Sequence, residues 1–395
     1  MIIGVASSGL GHVARGIESW AADLGHALAI RGVDVRLYKG GGVAQETYER
    51  LISCTQREGR LAQSLVRFRR VLWRFGLGSA YATEQVTFAL NLLRHLSRDH
   101  VDVLHVQDPV VASIIQRANR RGLTSTRVIL AHGTEEPAAY LARFDYVQHL
   151  APWHLEETRD AGVWQADWRA IPNFIDVDVF SPGRSDALRA ELGIPPEALI
   201  VMTAAAIKRH HKRIHYLIDE FAQMIDQTSD RPVRLVIAGG WEAETDALIA
   251  EASARLGEHV RFLVRFPRSR MPELYRAADI FVLCSLKEMM PVALLEAMGC
   301  GKPCVVNQHP VLQWMIGPGG LSIDMSGRGE LAKTLQELIR DDALRGQLAD
   351  RARHHCVEQF GRASVVDQIV DYYESIVAAN RQIPLTSATH DSLLS

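Results

Sequence analysis

Two glutamates, Glu288 and Glu296, carry the most specific chemistry in this chain of 395 residues. An apolar run, Ile280–Leu283, reads as a strand and enters the loop Cys284-Ser285-Leu286-Lys287-Glu288-Met289-Met290. Pro291 is suited to be the first residue of a helix that Gly299 and Gly301 stop. Continuous helix would set the two carboxylates about 80° apart, so they need not share a face. Instead, a loop carboxylate and a helix carboxylate bracket a helix N-terminus. Each acid suits a pair of vicinal hydroxyls, while the helix amides face a phosphate. That combination fits a nucleotide sugar; the plainer alternative is a solvated loop glutamate and a salt-bridged helix glutamate.

Three further groups stand at the ends of apparent strands. Ile207-Lys208-Arg209-His210-His211-Lys212-Arg213 follows the strand Leu199–Ala205 and precedes a helix over about Ile214–Ile225. It holds two of the six lysines, and cations at a strand end suit a phosphate or diphosphate. A solvated charged loop is the alternative. Adjacent His210 and His211 diverge and have no carboxylate pattern beside them, so no metal site is expected. Ser7-Ser8-Gly9-Leu10-Gly11-His12 follows the first strand, where glycines let the backbone approach a ligand. Its fit to a dinucleotide fingerprint is loose, because Ala14 holds the third glycine position and Arg36 and Tyr38 stand where a ribose-binding acid would. A nicotinamide or flavin cofactor is therefore not expected, and a cleft-facing loop competes with a plain tight turn. His132-Gly133-Thr134 follows the strand Arg127–Ala131, either at a cleft or as a capping histidine.

The elements that must hold these groups alternate. Ile2–Ala6, Val33–Tyr38, Val101–Val106, Arg127–Ala131 and Tyr146–Leu150 read as strands with helical spacing between, the first helix running from about Ala14 to Ala29. Such alternation implies a parallel sheet covered on both faces. Ile171–Pro182 interrupts the rhythm with prolines and acidic turn formers and is placed as the linker, ending near Gly183–Asp186. Strands restart at Leu199–Ala205, Arg234–Ala238, Val260–Leu263, Ile280–Leu283, Pro303–Val306 and Leu321–Ile323. The expected fold is α/β, with two doubly wound domains facing across a cleft: residues 1–184 and 185–362. Helices follow at Leu344–Val357 and Ala363–Ala379, and the polar residues 384–395 are expected to form a mobile tail. Ligands of such sheets bind outside the carboxyl ends of the strands, where all four groups fall.

Composition narrows the class. The chain is 47% hydrophobic and 23% charged with a formal charge of −2, an ordinary globular balance that gives no basic field for nucleic acid. Five cysteines without a CxxC pair read as free, mostly buried thiols. The N-terminal residues read as a strand rather than a signal peptide, and no apolar run reaches the roughly 18 residues of a membrane span. A cytoplasmic location is expected, peripheral to a membrane at most. The stretch Gln56–Gly78 supplies the reason for that qualification, since Arg57, Arg60, Arg67, Arg69, Arg70 and Arg74 interleave with apolar residues as in a helix lying on an anionic surface. A buried helix with solvated arginines, or a wall of an acceptor site, is the alternative.

The motif Glu288-x7-Glu296 with LLEAMGCGKP resembles the nucleotide-sugar signature of glycosyltransferase family 4, whose members are retaining enzymes of the GT-B fold. VRFLVRFPRSRMPELYRAADIFVLCS before it, RLVIAGGWE, KRIHYLIDEFA and IPNFIDVDVFSP are similar to other family segments, and the likeness is strongest over Leu199–Gly320. The resemblance implies an acceptor-binding first domain, a nucleotide-sugar-binding second domain and a C-terminal helix, residues 363–383, packed back on the first. Lys212 would neutralise the donor diphosphate, with Lys208 near a family arginine. Glu296 would hold the ribose, Glu288 the transferred sugar, and the amides around Met290, Pro291, Val292 and Ala293 the sugar or phosphate. Gly11 would line the diphosphate and His132 would sit beside the sugar. The family's Gly-Phe-Gly after the first glutamate is here Met289-Met290-Pro291. The implied reaction moves a sugar from a nucleoside-diphosphate donor, a UDP-sugar by default, to an unidentified hydroxyl. It needs no metal, since cations and amides carry the leaving charge. Asp176-Val177-Asp178, the one Asp-x-Asp, lies in the linker. Two other readings stand: an enzyme that alters the nucleotide sugar itself, such as a 2-epimerase, and a non-catalytic nucleotide-sugar-binding module.

Overall fold

A computed structural model describes residues 1–13, 16–66, 77–226 and 231–381. Thirteen strands among these residues form two sheets. The first contains β1 (Ile2–Ser7), β2 (Asp34–Lys39), β3 (Glu49–Leu51), β4 (Val103–Val106), β5 (Arg127–His132), β6 (Tyr146–His149) and β7 (Arg169–Ala170), in the order β3-β2-β1-β4-β5-β6-β7. The second contains β8 (Leu199–Ala204), β9 (Val233–Gly239), β10 (Val260–Val264), β11 (Ile280–Leu283), β12 (Cys304–Asn307) and β13 (Gly320–Ile323), in the order β10-β9-β8-β11-β12-β13. Every pairing is parallel, and the central strands are buried along almost their whole length.

The doubly wound fold expected from the alternation is the one found. Two edge strands, β3 and β7, were not expected; three and two residues long, they are too short to show a periodicity. His132 closes β5 rather than following it, and Pro291 caps the helix Val292–Gly299 from outside rather than beginning it.

Strand order fixes where a ligand can lie. Chain order reverses between β1 and β4 in the first sheet, and between β8 and β11 in the second. These are the switch points at which crevices open beyond the strand ends. The loops after β8 and β11 carry Lys208, Lys212 and Glu288, so the second switch point gathers them.

Two chain crossings join the lobes. Ile175 N donates to Phe360 O at 2.9 Å, and Arg362 N donates back to Ile175 O at 3.0 Å. Asp176 accepts the amides of Asp178 and Val179 and pairs with Arg362, so this carboxylate serves the crossing. Beyond it the helix Arg362–Arg381 packs Val365, Ile369 and Tyr373 against Ile3, Val5 and Leu24 of the first lobe. Tyr373 Oη lies 2.7 Å from His105 Nδ1.

The stretch Gln56–Gly78 is helical over Arg60–Val66, and its residues 67–76 lie outside the described residues, as does the tail 384–395. Arg57 departs from a surface reading. Its guanidinium points inward to Glu84 and lies 4.2 Å from the centre of the Tyr81 ring. The aromatic face and the buried carboxylate offset its desolvation.

Candidate active site

The loop after β8 is bent into an unusual shape. His211 and Arg213 have φ of 66° and 51°, a region L-residues rarely adopt, and Lys212 lies between them. The bend turns the Lys212 ammonium onto Glu288 Oε1, and the two form an ion pair. His211 Nε2 lies 3.1 Å from Lys287 O and 3.5 Å from Glu288 Oε1. Burial alone would raise the Glu288 pKa. The His211 hydrogen bond and the Lys212 charge outweigh it and hold the carboxyl at about 2. Glu288 is thus ionised at the end of β11. Lys208, at the same strand end as Lys212, makes no ion pair or side-chain hydrogen bond among the described residues.

Glu296 differs from Glu288. It projects from the helix Val292–Gly299, accepts from Tyr275 Oη at 2.7 Å and from Arg268 Nη1 at 3.1 Å. Burial keeps its pKa above the ordinary value despite Arg268 and Tyr275. Arg268 also reaches Asp23 on the helix Gly16–Ile30 of the first lobe at 3.0 Å, so one guanidinium spans both lobes. Val292 and Ala293 offer first-turn amides without intrahelical partners. Pro291 offers none, and the Met290 side chain is turned to the linker, where its Sδ accepts from Asn173 N at 3.0 Å.

The first lobe contributes a rigid loop. Gly11 has φ of 96°, and a Cβ there would stand 2.1 Å from Gly41 O. Gly40 is equally confined, its would-be Cβ 1.9 Å from Ser8 O. Beneath the loop, buried Glu84 receives His12 Nε2 at 2.9 Å, Ser8 Oγ at 3.2 Å and Arg57 Nε at 3.0 Å. Asp108 Oδ2 accepts from Ser8 N at 2.7 Å. The residues of this cradle are far apart in sequence, and no local motif announces it.

His132 stands at the end of β5 with Nδ1 3.2 Å from His149 Nδ1. Burial, reinforced by the neighbouring His149 and His154, drives its pKa down to about 3, so the ring is neutral. It lines a cavity of about 430 Å³ together with Glu136, His154 and Glu157 of the first lobe and Lys287 and Met289 of the second. The lobes touch beside this cavity: His154 Nε2 lies 3.3 Å from Met289 O, and Lys287 Nζ lies 3.7 Å from Glu135. Of the residues singled out from sequence, Lys212 and Glu288 are in direct contact. His132 faces the loop that carries Glu288, Glu296 lies behind it with Arg268, and Gly11 is locked against Gly41. Sequence reasoning missed His154, Tyr275 and Arg268, whose contacts with Met289 and Glu296 join segments at least 21 residues apart. Among the described residues no group of three or more His, Cys, Asp or Glu is placed to hold a metal ion, and no helix is long and apolar enough to cross a membrane.

Comparison with known proteins identifies the family and the fold. Residues 184–355 match the family described as glycosyl transferases group 1, and residues 14–179 match glycosyltransferase family 4. D-inositol 3-phosphate glycosyltransferase 1 of Catenulispora acidiphila is 30% identical over 288 residues, 69% of this chain and 68% of that protein. N-acetyl-alpha-D-glucosaminyl L-malate synthase of Bacillus anthracis is 24% identical, covering 75% and 81%. Among solved structures, sucrose-phosphate synthase of Thermosynechococcus elongatus superimposes with a TM-score of 0.77 at 19% identity, covering 96% of this chain and 99% of that one. Anabaena HepE, solved with UDP and glucose, gives 0.72 at 18% identity, covering 95% and 100%. At such identity these likenesses are of fold.

Proposed function

This chain belongs to the glycosyltransferases of group 1, family 4, and from that membership we propose that it moves a sugar from a nucleoside-diphosphate donor to an acceptor hydroxyl, with retention and without a metal ion. The observation that carries the reading is the Lys212–Glu288 pair at the second switch point, next to the free amides of Val292 and Ala293. An ionised carboxylate and an ammonium held in contact are an acceptor and a donor set ready for a ligand that has both hydroxyls and a diphosphate.

In this reading Lys212, with Lys208, turns to the diphosphate, and the first-turn amides and the Gly11 loop complete the cradle. Glu288 takes the hydroxyls of the transferred sugar and Glu296 those of the ribose. The bond from the anomeric carbon to the diphosphate breaks, and its electron pair leaves on the phosphate oxygen. The acceptor oxygen bonds to the same face, and its proton passes to that oxygen. Most of the rate comes from stabilising the leaving charge and from alignment. A neutral His132 sits beside the sugar without repelling the positive charge that develops on it. A uridine nucleotide is the donor of first choice, in keeping with the UDP held by HepE. The cytoplasm is the compartment proposed for a reaction of this kind.

The test is a panel of nucleoside-diphosphate sugars, followed by nucleotide release and by NMR of the product anomer, with and without chelator. Retained configuration and unchanged rate in chelator are expected. Conversion of the donor to a new nucleotide sugar would assign the epimerase reading instead, and binding without any turnover would leave a binding module.

A further inference from the structure

The cavity between His132 and Lys287 bears on the acceptor, an assignment that rests on the glycosyltransferase reading. Its second-lobe wall, Lys287 and Met289, flanks Glu288, the residue assigned to the donor sugar. The rest of the wall belongs to the first lobe. At about 430 Å³ it is within the range of small-molecule sites, roughly 300–1,000 Å³.

Its charges are unequal. Glu135, Glu136 and Glu157 face one lysine, Lys287. Lys287 is engaged by Glu135 at 3.7 Å, and Glu157 lies 3.0 Å from His154 Nδ1. Glu136 has no cation in hydrogen-bond reach among the described residues. Its two side-chain oxygens accept from Thr134 Oγ1, at 2.6 and 2.8 Å, and the side chain is 16% exposed. Beside it, 4.0 Å from Glu136 Oε2, stands His132 Nε2, which is buried and without any hydrogen-bond partner on a ring 7% exposed. Buried polar atoms normally find partners, so this nitrogen points to one that arrives with a ligand.

We infer that this cavity is the acceptor subsite and that it takes a polyol carrying a protonated amine. A carboxylate only accepts hydrogen bonds, and an ammonium supplies three donors with the opposite charge. A neighbouring hydroxyl suits His132 Nε2, since a neutral imidazole nitrogen either donates or accepts. A phosphorylated or carboxylated acceptor would instead set like charges together across a half-buried wall. Burial holds the Glu136 carboxyl above its ordinary range, and an arriving ammonium would draw it down.

The experiment compares three matched probes: glucosamine, glucose and glucose 6-phosphate. Their binding to the full chain, loaded with the nucleoside diphosphate it binds, is measured by calorimetry, and their turnover by nucleotide release. Glucosamine should bind at least about tenfold more tightly than glucose, as a charge-assisted hydrogen bond provides, with glucose 6-phosphate weakest. Glu136→Gln should erase the preference for the amine, and Glu136→Lys should reverse it towards the phosphate, with thermal unfolding as a check on the fold. Equal binding of all three by the wild type, or preference for the phosphate, overturns the inference and leaves the glycosyltransferase reading standing. Failure of every nucleotide to bind and of every donor to turn over overturns both.

Discussion

His154 of the first lobe hydrogen-bonds to the main-chain oxygen of Met289 in the second, at 3.3 Å, one residue beyond Glu288. The loop that places the ionised carboxylate is therefore held from across the cleft by a ring that is 2% exposed. Loss of this bond should let the loop drift without removing any group assigned to the donor, although His154 also lines the cavity assigned to the acceptor. His154→Ala is expected to lower kcat about tenfold, more than it raises donor KM, and to cost roughly 1–3 kcal/mol of stability. His154→Asn, which keeps a donor, should recover part of kcat. If both variants lose stability alike and neither changes kcat, His154 packs but does not position.

Glu288 and Glu296 should respond in opposite senses to neutralisation. The Glu288 pKa is held near 2, below its ordinary 4.5. A depressed carboxyl contributes stability that is present above about pH 4.5 and is lost as pH falls towards 2. That contribution is about 3 kcal/mol at most. Glu288→Gln should therefore lower stability at pH 7, flatten the acid limb of the stability curve between pH 4.5 and 2, and abolish most turnover. Denaturant midpoints across that range check it, and a variant with an unaltered acid limb would contradict the pairing with Lys212.

Burial raises the Glu296 carboxyl, so folding disfavours its charge. The destabilisation is greatest at neutral pH and is relieved as pH falls through the raised value towards 4.5. Glu296→Gln is expected to leave stability at pH 7 unchanged or slightly higher. Nucleotide affinity should nonetheless fall about tenfold, read as a smaller thermal shift with UDP. A large loss of stability with intact affinity would make this glutamate a structural group.

Arg268 connects Glu296 to Asp23, and Arg268→Ala removes the guanidinium from both lobes at once. The Asp23 contact is half-exposed and should contribute little by itself. The larger effect should be on Glu296, left buried with Tyr275 as its remaining partner. We expect nucleotide affinity to acquire a steeper pH dependence, weakening on acidification, because burial without Arg268 lets the acid titrate higher still. Titrations of UDP at pH 5.5 and 8 on wild type and variant decide it.

Gly11→Ala tests the first-lobe loop. The added Cβ would meet Gly41 O at 2.1 Å in a left-handed conformation, so the loop must move. A cost of about 2 kcal/mol or more is expected from thermal unfolding, with weaker donor binding beside it. Native stability with native affinity would mean that the loop is free to shift.

Much of this protein could be read along the chain. Two doubly wound units follow from β-branched runs that alternate with helical spacing, a signal that needs only near neighbours. Glu288 and Lys212 were found because each sits just past a strand, where a parallel sheet opens its crevice, and Glu296 because it lies on the helix that follows. Short edge strands escaped, since two or three residues cannot display a period.

Contacts across the fold were hidden for a different reason. His154 and Met289 are 135 residues apart, Arg268 and Asp23 are 245 apart, and neither pair leaves a local pattern. Arg57 looked like a surface charge because composition reports charge and not direction; its buried partner Glu84 turns it inward. Sequence by itself determined which groups lie at strand ends, because that depends on spacing. Only the folded chain decided which of them meet and which are ionised, because burial and distance set a pKa and neither exists before the lobes close on each other.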